Sequence, residues 1–229
     1  MRILISLILF LCGFNSIAQT DTNVFSDGHV IYYNGFLSEE GNKKVMALIT
    51  PLITTLYINS RGGEINLGMD LGERVYASNL DVRVGEYCFS SCANYVFPAG
   101  KHKILAKKSQ LGWHGGATQK INQDEYPKDK KMKDKMIKRV NTDIERETEF
   151  FKKINVNQIS TVYGQNPKVY KNESDKKDSI HCLGWDYSLS AMEVFGFKNI
   201  ILADGQWSPE RSFNGKCIHR FETIDKNLI

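Results

Sequence analysis

Strands and helices alternate through the first half of this 229-residue chain, and this alternation limits the fold more than any other feature. β-Branched and aromatic runs typical of strands are followed by stretches with an approximate helical apolar stripe. Each predicted helix is about the length of a crossover between parallel strands, so the pattern predicts an α/β fold with stacked sheet units. The predicted strands cover residues 29–36, 54–59, 82–87 and 103–113, and the predicted helices cover 38–49, 64–78 and 91–97.

Three segments that could take part in catalysis follow predicted strands. They are the glycine pair Gly62-Gly63, the serine Ser91 and the histidine His114. In α/β folds, functional groups gather at the carboxyl ends of strands, so these segments are expected to meet. A serine becomes a nucleophile when a base removes its proton and backbone N–H groups hold the oxyanion that forms. The three segments could supply all three parts, which points to a serine hydrolase.

Four segments, taken in order, resemble those of the Clp-type serine peptidases, which belong to the Clp/crotonase superfamily. The resemblance runs from about Gly28 to Asp204 and implies Clp/crotonase-like β-β-α units. Arg61 stands where the family has a proline, and the spacing to Gly100 favours Ser91 over its neighbour Ser90. The segments are Ile58-Asn59-Ser60-Arg61-Gly62-Gly63, Ser91 to Gly100, Gln110 to His114, and Asp186 to Gly196, which looks like Asp-x-x-Leu-Ser-Ala-x-Glu-Ala-x-x-x-Gly.

The resemblance implies a serine peptidase with a Ser-His-Asp triad. Ser91 is then the nucleophile, His114 the general base, and Asp186 the carboxylate that orients the imidazole. The backbone N–H groups of Gly63 and Cys92 are expected to bind the oxyanion. We expect no cofactor and no metal. The substrate is expected to be a peptide or an unfolded protein, cleaved without ATP.

Other interpretations of the same residues stay open. Ser91 and Asp186 are each suited to cap a helix, and Gly62-Gly63 alone would make an ordinary turn. A catalytically inactive Clp-like binding protein is therefore one alternative. A crotonase-type acyl-CoA enzyme is another, but it needs no triad, and an exported enzyme would meet little coenzyme A.

The N-terminus has the features of a signal peptide. Arg2 precedes an apolar run, and small residues end the segment Met1–Ala18, so mature protein is expected to begin at Gln19. Lipidation at Cys12 is disfavoured because Leu11 is bulky. Residues 19–229 are expected to form one hydrolase domain that is periplasmic or secreted, with no membrane span.

Four of the five cysteines remain after the signal peptide. An even number in an exported chain predicts two disulfides, for which three connectivities are possible. We favour one disulfide between the two cysteines that flank Ser91 and one between the two cysteines late in the chain. A zinc site is disfavoured because the spacing lacks a second matched pair, although Cys92 could also be a small buried residue inside a helix. The favoured pairs are Cys88 with Cys92 and Cys182 with Cys217.

A long amphipathic helix is predicted over residues 128–153, after the histidine. Charged residues cover most of it, and its apolar residues recur at a spacing of four. The resemblance implies that this helix borders a homo-oligomer interface. The net charge of +4 gives no support for a nucleic-acid partner, and the segment from Cys217 onward is expected to be a polar tail. The apolar stripe consists of Met132, Met136, Val140, Ile144 and Phe151.

Overall fold

A computed structural model describes residues 22–170 and 172–229. The predicted signal peptide and Cys12 lie outside these residues. The described strands are β1 Asn23–Asp27, β2 Val30–Asn34, β3 Thr55–Ser60, β4 Asp81–Phe89, β5 Lys103–Leu105, β6 Gln110–Gly112, β7 Trp185–Tyr187, β8 Ile200–Leu202, β9 Ser212–Phe213, β10 Lys216–Cys217 and β11 His219–Phe221.

The described helices include one long helix and several short ones. The α-helices are α1 Glu39–Leu48, α2 Ile65–Ala77, α3 Phe97–Ala99, α4 Lys130–Ile154, α5 Glu173–Ile180 and α6 Leu189–Val194. A π-helix, Cys92–Val96, leads directly into α3. The 3₁₀-helices are Gln123–Glu125, Gln158–Thr161, Tyr163–Gln165, Pro167–Val169 and Lys226–Leu228.

The main sheet is largely parallel, as the predicted α/β class requires. Within the described residues it has seven strands in the order β1-β2-β3-β4-β5-β8, with β6 also pairing with β4. Only β1 runs antiparallel, and it forms a hairpin with β2. The buried side chains of β2 and β3 alternate with partly exposed ones, because successive side chains of a strand point to opposite faces.

The long strand β4 organises the part of the sheet that carries the serines. Its first half pairs with β5 and its second half pairs with β6, so both neighbours lie parallel to it. The single strand predicted over residues 103–113 is therefore two short strands. Because Phe89 pairs with Gly112, the segments that follow β4 and β6 emerge side by side.

Helices α1 and α2 begin and pack as their sequences predict. Ser38 caps α1, and its side chain accepts a hydrogen bond from the Gly41 N–H. Helix α2 lies so close to the π-helix that a Cβ at Gly68 would be 2.6 Å from the Tyr95 ring and 2.8 Å from the Ser91 Cβ. Helix α2 thus supports the segment that follows β4.

The C-terminal segment packs onto the body of the protein, which corrects the expected polar tail. Strand β11 pairs with β7 in parallel, and Phe221 is buried. Trp113 and Trp185 exchange two backbone hydrogen bonds of 2.8 Å, which join β7 to the end of β6. The segment could not be recognised from sequence because its strands are only two or three residues long.

Helix α4 follows the histidine, as predicted, and is anchored at its C-terminal half. Phe150 and Phe151 are buried against Tyr95, whereas Met132 near the other end is 62% exposed. Arg146 of α4 also binds Asp70 of α2 at 2.6 Å. The apolar stripe is therefore core at one end and surface at the other. No helix in the described ranges has the length and hydropathy to cross a membrane.

Candidate active site

Ser90 forms a sharp turn between β4 and the helical segment that follows. Its backbone has φ +54°, a left-handed conformation that costs a non-glycine residue about 1 kcal/mol or more. The Ser90 N–H donates to the Gly112 carbonyl at 2.8 Å, which fixes the turn to β6. The side chain of a serine in such a strand-to-helix turn projects beyond the end of the sheet.

His114 meets Ser90 because both residues follow neighbouring parallel strands. The His114 Nε2 and the Ser90 Oγ are 2.8 Å apart, so the hydroxyl can donate to a neutral imidazole. His114 also has its carbonyl oxygen held by Gln165, whose Nε2 donates at 3.0 Å. The distance between the Ser90 Oγ and the His114 Nε2 lies within the range over which a proton can be transferred.

The Ser91 side chain does not bond to His114, which differs from the pairing expected from spacing. The Ser91 side chain is 2% exposed, and its Oγ donates to the Gly63 carbonyl at 2.8 Å. The reason is the π-helix Cys92–Val96, in which the Phe97 N–H bonds to the Cys92 carbonyl five residues earlier. A π-turn holds one more residue than an α-turn, so a count back from Gly100 arrives one residue late.

Gly62 packs directly against the same turn. Gly62, with φ +87°, lies so close that a Cβ there would be 2.8 Å from both the Ser90 Cβ and the Ser91 N. Only glycine fits this approach without strain. The amide that directly follows Ser90 belongs to Ser91, whereas the sequence predicted that the N–H groups of Gly63 and Cys92 bind the oxyanion. Cys92 is the first residue of the π-helix.

The Asp186 carboxylate bonds to Arg220 rather than to His114, in contrast to the expected triad. Asp186 is 2% exposed, and both of its carboxylate oxygens bind Arg220, with Nε at 2.9 Å from Oδ1. Its neighbours Trp185 and Tyr187 share the opposite face of β7, where the Trp185 Nε1 donates to the Tyr187 hydroxyl at 2.7 Å. Strand alternation therefore places Asp186 on the other face of β7, where Arg220, its register partner on β11, also lies.

The His114 ring is not bound by a carboxylate from any residue in the described ranges. His114 is exposed at the surface, but the protein atoms around it partly desolvate the ring and lower its pKa below the ordinary value, because desolvation disfavours the charged form. The imidazole is therefore neutral at neutral pH, which is the state that can accept a proton.

A buried polar network lies behind the two residues. The Asn94 amide donates to the Gly115 carbonyl at 2.7 Å, which ties the π-helix to the loop after His114. The Glu147 carboxylate of α4 accepts from the Tyr95 hydroxyl at 2.6 Å and from the Ala117 N–H at 3.0 Å. Glu147 thus links α4 to both segments.

A cavity of about 510 Å³ adjoins Ser90 and His114. Aromatic and aliphatic side chains form much of its wall, including Phe89 of β4 and Phe213 of β9. Phe213 could not be assigned to the site from sequence, because the β9–β10 segment has no motif that marks it. Phe89 stands immediately before Ser90, and that position was its only signal.

Both predicted disulfides are present. Cys88 bonds to Cys92 across the Ser90 turn, and Cys182 bonds to Cys217 beside the cavity. Leu183 and Gly184, which line the cavity, directly follow Cys182. One disulfide therefore closes the serine turn and the other fixes part of the cavity wall.

No family model and no curated protein matches the chain. Solved structures do match it. One is the ClpP protease catalytic domain from Plasmodium falciparum, with 18% identity and a TM-score of 0.33 over 36% of this chain and 53% of that chain. Another is methylmalonyl CoA decarboxylase, with 12% identity and a TM-score of 0.31 over 40% of this chain and 47% of that chain. The chain thus spans about half the length of each of these structures.

Proposed function

We propose that the protein is a serine hydrolase, and specifically a peptidase, in which Ser90 is the nucleophile and His114 the general base. The observation that carries this proposal is the 2.8 Å contact between the Ser90 Oγ and the His114 Nε2 beside a large cavity. The lowered pKa of His114 supports it, since a neutral imidazole accepts the hydroxyl proton.

The proposed reaction uses two residues and two backbone amides. Ser90 Oγ attacks the substrate carbonyl while its proton passes to the His114 Nε2. The N–H groups of Ser91 and Gly63 hold the oxyanion, and Ser91 begins a helical segment whose N–H groups favour negative charge. His114 then returns the proton to the leaving amine, and water repeats the sequence to release the acyl group.

A catalytic dyad replaces the expected triad in this proposal. Asp186 is committed to Arg220, so the His114 ring is steadied through its backbone instead, by Gln165 and by the short loop that Asn94 holds. Two participating side chains are sufficient for a serine hydrolase, because the base activates the serine and the backbone donors stabilise the oxyanion.

The experiment is mapping of a fluorophosphonate adduct by mass spectrometry on the purified mature protein. We expect the adduct on Ser90. Ser90→Ala should abolish labelling and reduce peptide hydrolysis about 10³-fold or more, whereas Ser91→Ala, as the matched control, should keep both within about tenfold. An adduct on Ser91, or labelling that survives in Ser90→Ala, would exclude Ser90 as the nucleophile.

Unlabelled but folded protein would instead support the two other functions. An inactive binding protein would retain peptides without cleaving them. A crotonase-type enzyme would use the paired amides on an acyl thioester and would not need Ser90. Incubation of unlabelled protein with an acyl-CoA ester separates these two outcomes.

We further infer that the enzyme is exported and assembles as a homo-oligomer. The two disulfides favour an oxidising compartment. The exposed apolar residues at the N-terminal half of α4, such as Met132 and Ile137, favour contact with a second copy of the chain. Signal cleavage before Gln19 is part of the same proposal and is checked by N-terminal sequencing of secreted protein.

A further inference from the structure

The cavity beside Ser90 has apolar walls and a cationic rim. Its walls include Trp113, Trp185 and Ile218, which are each buried, together with the more accessible Leu183 and Phe213. A cavity of about 510 Å³ with such walls suits a large apolar side chain, because burial of its surface supplies the binding free energy.

The charges at the rim are of one sign. Arg61 and Lys216 line the cavity, and among the residues that the structure describes no aspartate or glutamate does. Both side chains are exposed, and neither makes an ion pair with any residue in the described ranges. The rim therefore presents positive charge that the protein itself does not neutralise.

Arg61 is held in place rather than free in solvent. Its guanidinium lies over the Phe213 ring, 5.0 Å from the ring centroid. Phe213 is in turn packed edge-on against Phe89, with ring centroids 4.9 Å apart. Stacking on an aromatic face leaves the N–H edge of a guanidinium available, and that edge matches a carboxylate with two parallel hydrogen bonds.

The backbone places this cation close to the nucleophile. Arg61 immediately precedes Gly62, whose Cα lies against the Ser90 turn. Arg61 also occupies the position where the resembled peptidases have a proline, which can offer neither charge nor a side-chain donor. An anion bound at Arg61 would therefore lie within one or two residues of a peptide bond at Ser90.

We propose that this site recognises peptides in which a large apolar side chain stands beside a carboxylate. The apolar side chain enters the cavity, and the carboxylate binds Arg61, with Lys216 adding attraction. The carboxylate is either an acidic side chain of the adjacent residue or the C-terminal carboxylate of the peptide. That such peptides are substrates rests on the proposed function, but their recognition does not.

Fluorescence anisotropy with labelled pentapeptides tests the proposal, with Ser90→Ala protein used so that cleavage does not interfere. The reference peptide has a central Phe followed by Glu. One counterpart replaces Glu by Gln, one replaces Phe by Ala, and a further pair ends in Phe with either a free or an amidated C-terminus. We expect the Glu peptide to bind about tenfold more tightly than the Gln peptide. The free-terminus pair shows which source of carboxylate is preferred.

Arg61→Gln should remove the preference for Glu, and Arg61→Lys should retain part of it. Arg83→Gln is the matched control, because Arg83 is exposed on β4 and does not line the cavity. The preference should also shrink at 0.5 M salt, since exposed charges are screened. Circular dichroism of each variant verifies that it is folded.

Equal affinity for both members of both carboxylate pairs, an unchanged preference in Arg61→Gln, or no binding of any peptide would overturn the proposal. Its failure is distinguishable from that of the proposed function. Fluorophosphonate labelling of wild-type Ser90 without carboxylate preference overturns only the recognition proposal. Carboxylate-selective binding without labelling supports recognition and overturns the hydrolase.

Discussion

At the scale of single residues, the candidate site depends on how far protein atoms shield the His114 imidazole from water. Protein atoms around His114 lower its pKa, so the ring stays neutral to a lower pH than an exposed histidine does. Its contact with the Ser90 hydroxyl is the kind that only a neutral Nε2 can accept. The availability of the base is therefore set by desolvation rather than by a neighbouring carboxylate.

This residue-scale argument predicts the pH dependence of activity. Protonation of His114 removes the base, and its lowered pKa places that loss below the ordinary histidine value of about 6.5. We expect the midpoint of the acid-side fall in hydrolysis rate to lie below about pH 6.5, with the full rate retained at pH 8. A rate profile with its inflection above pH 7 would contradict a desolvated base. The same profile measured for fluorophosphonate labelling serves as the control.

Asp186 supplies a second residue-scale prediction, because its carboxylate is buried and is paired with the partly buried Arg220. Asp186→Ala leaves Arg220 unpaired, and removal of one member of a buried pair costs about 3–5 kcal/mol. We expect urea unfolding to show that loss, while the labelling rate of folded protein changes less than tenfold. Arg220→Ala should be similarly destabilised, and the double variant less than the sum of both. A loss of labelling of about 10³-fold at unchanged stability would restore Asp186 to the triad.

At the scale of secondary-structure elements, alternation in the sequence was sufficient to predict most of the sheet. Strand β3, α1 and α2 lie within one or two residues of their predicted bounds, because their apolar periodicities are long and regular. The sequence also predicted that the segments after β4 and β6 lie together, since neighbouring parallel strands end at one edge of the sheet. The short strands β7 to β11 could not be predicted, because two or three residues carry no periodicity.

The choice between Ser90 and Ser91 could not be made from sequence for a different reason. Spacing arguments assume α-helical turns, whereas the π-helix Cys92–Val96 adds one residue. No residue type in this segment predicts a π-helix. Adjacent serines before a helix also look alike as caps. Only the left-handed φ of Ser90 and the inward Oγ of Ser91 separate them.

The network behind the site gives an element-scale prediction. Glu147 joins α4 to the π-helix and to the loop after His114, so Glu147→Ala should let these segments shift. We expect hydrolysis to fall about tenfold to a hundredfold, as small misplacements of reacting groups do. Glu149→Ala, at an exposed position of the same helix, is the control and should have wild-type activity. Equal activity in both variants would show that the network does not position the site.

At the scale of the whole molecule, α4 is a helix of two halves. Its C-terminal half is core, and its N-terminal half carries exposed apolar residues among lysines and acidic residues. We expect Met136→Asp and Val140→Asp to dissociate a homo-oligomer and to lower activity, because the interface helps to hold α4. Lys138→Asp is the charge control. Light scattering with parallel peptidase assays is the measurement, and a wild-type protein that is monomeric and fully active at micromolar concentration would contradict it.

The disulfide between Cys88 and Cys92 forms only after the chain has been synthesised. A chain leaves the ribosome with its thiols reduced, so the turn that contains Ser90 is at first an open loop between two free cysteines. The cystine forms later, and it closes that loop at its two ends. The covalent closure of the serine turn is thus an oxidation that follows synthesis. Molecules that have not yet met an oxidising compartment therefore differ from oxidised ones in the covalent state of this turn.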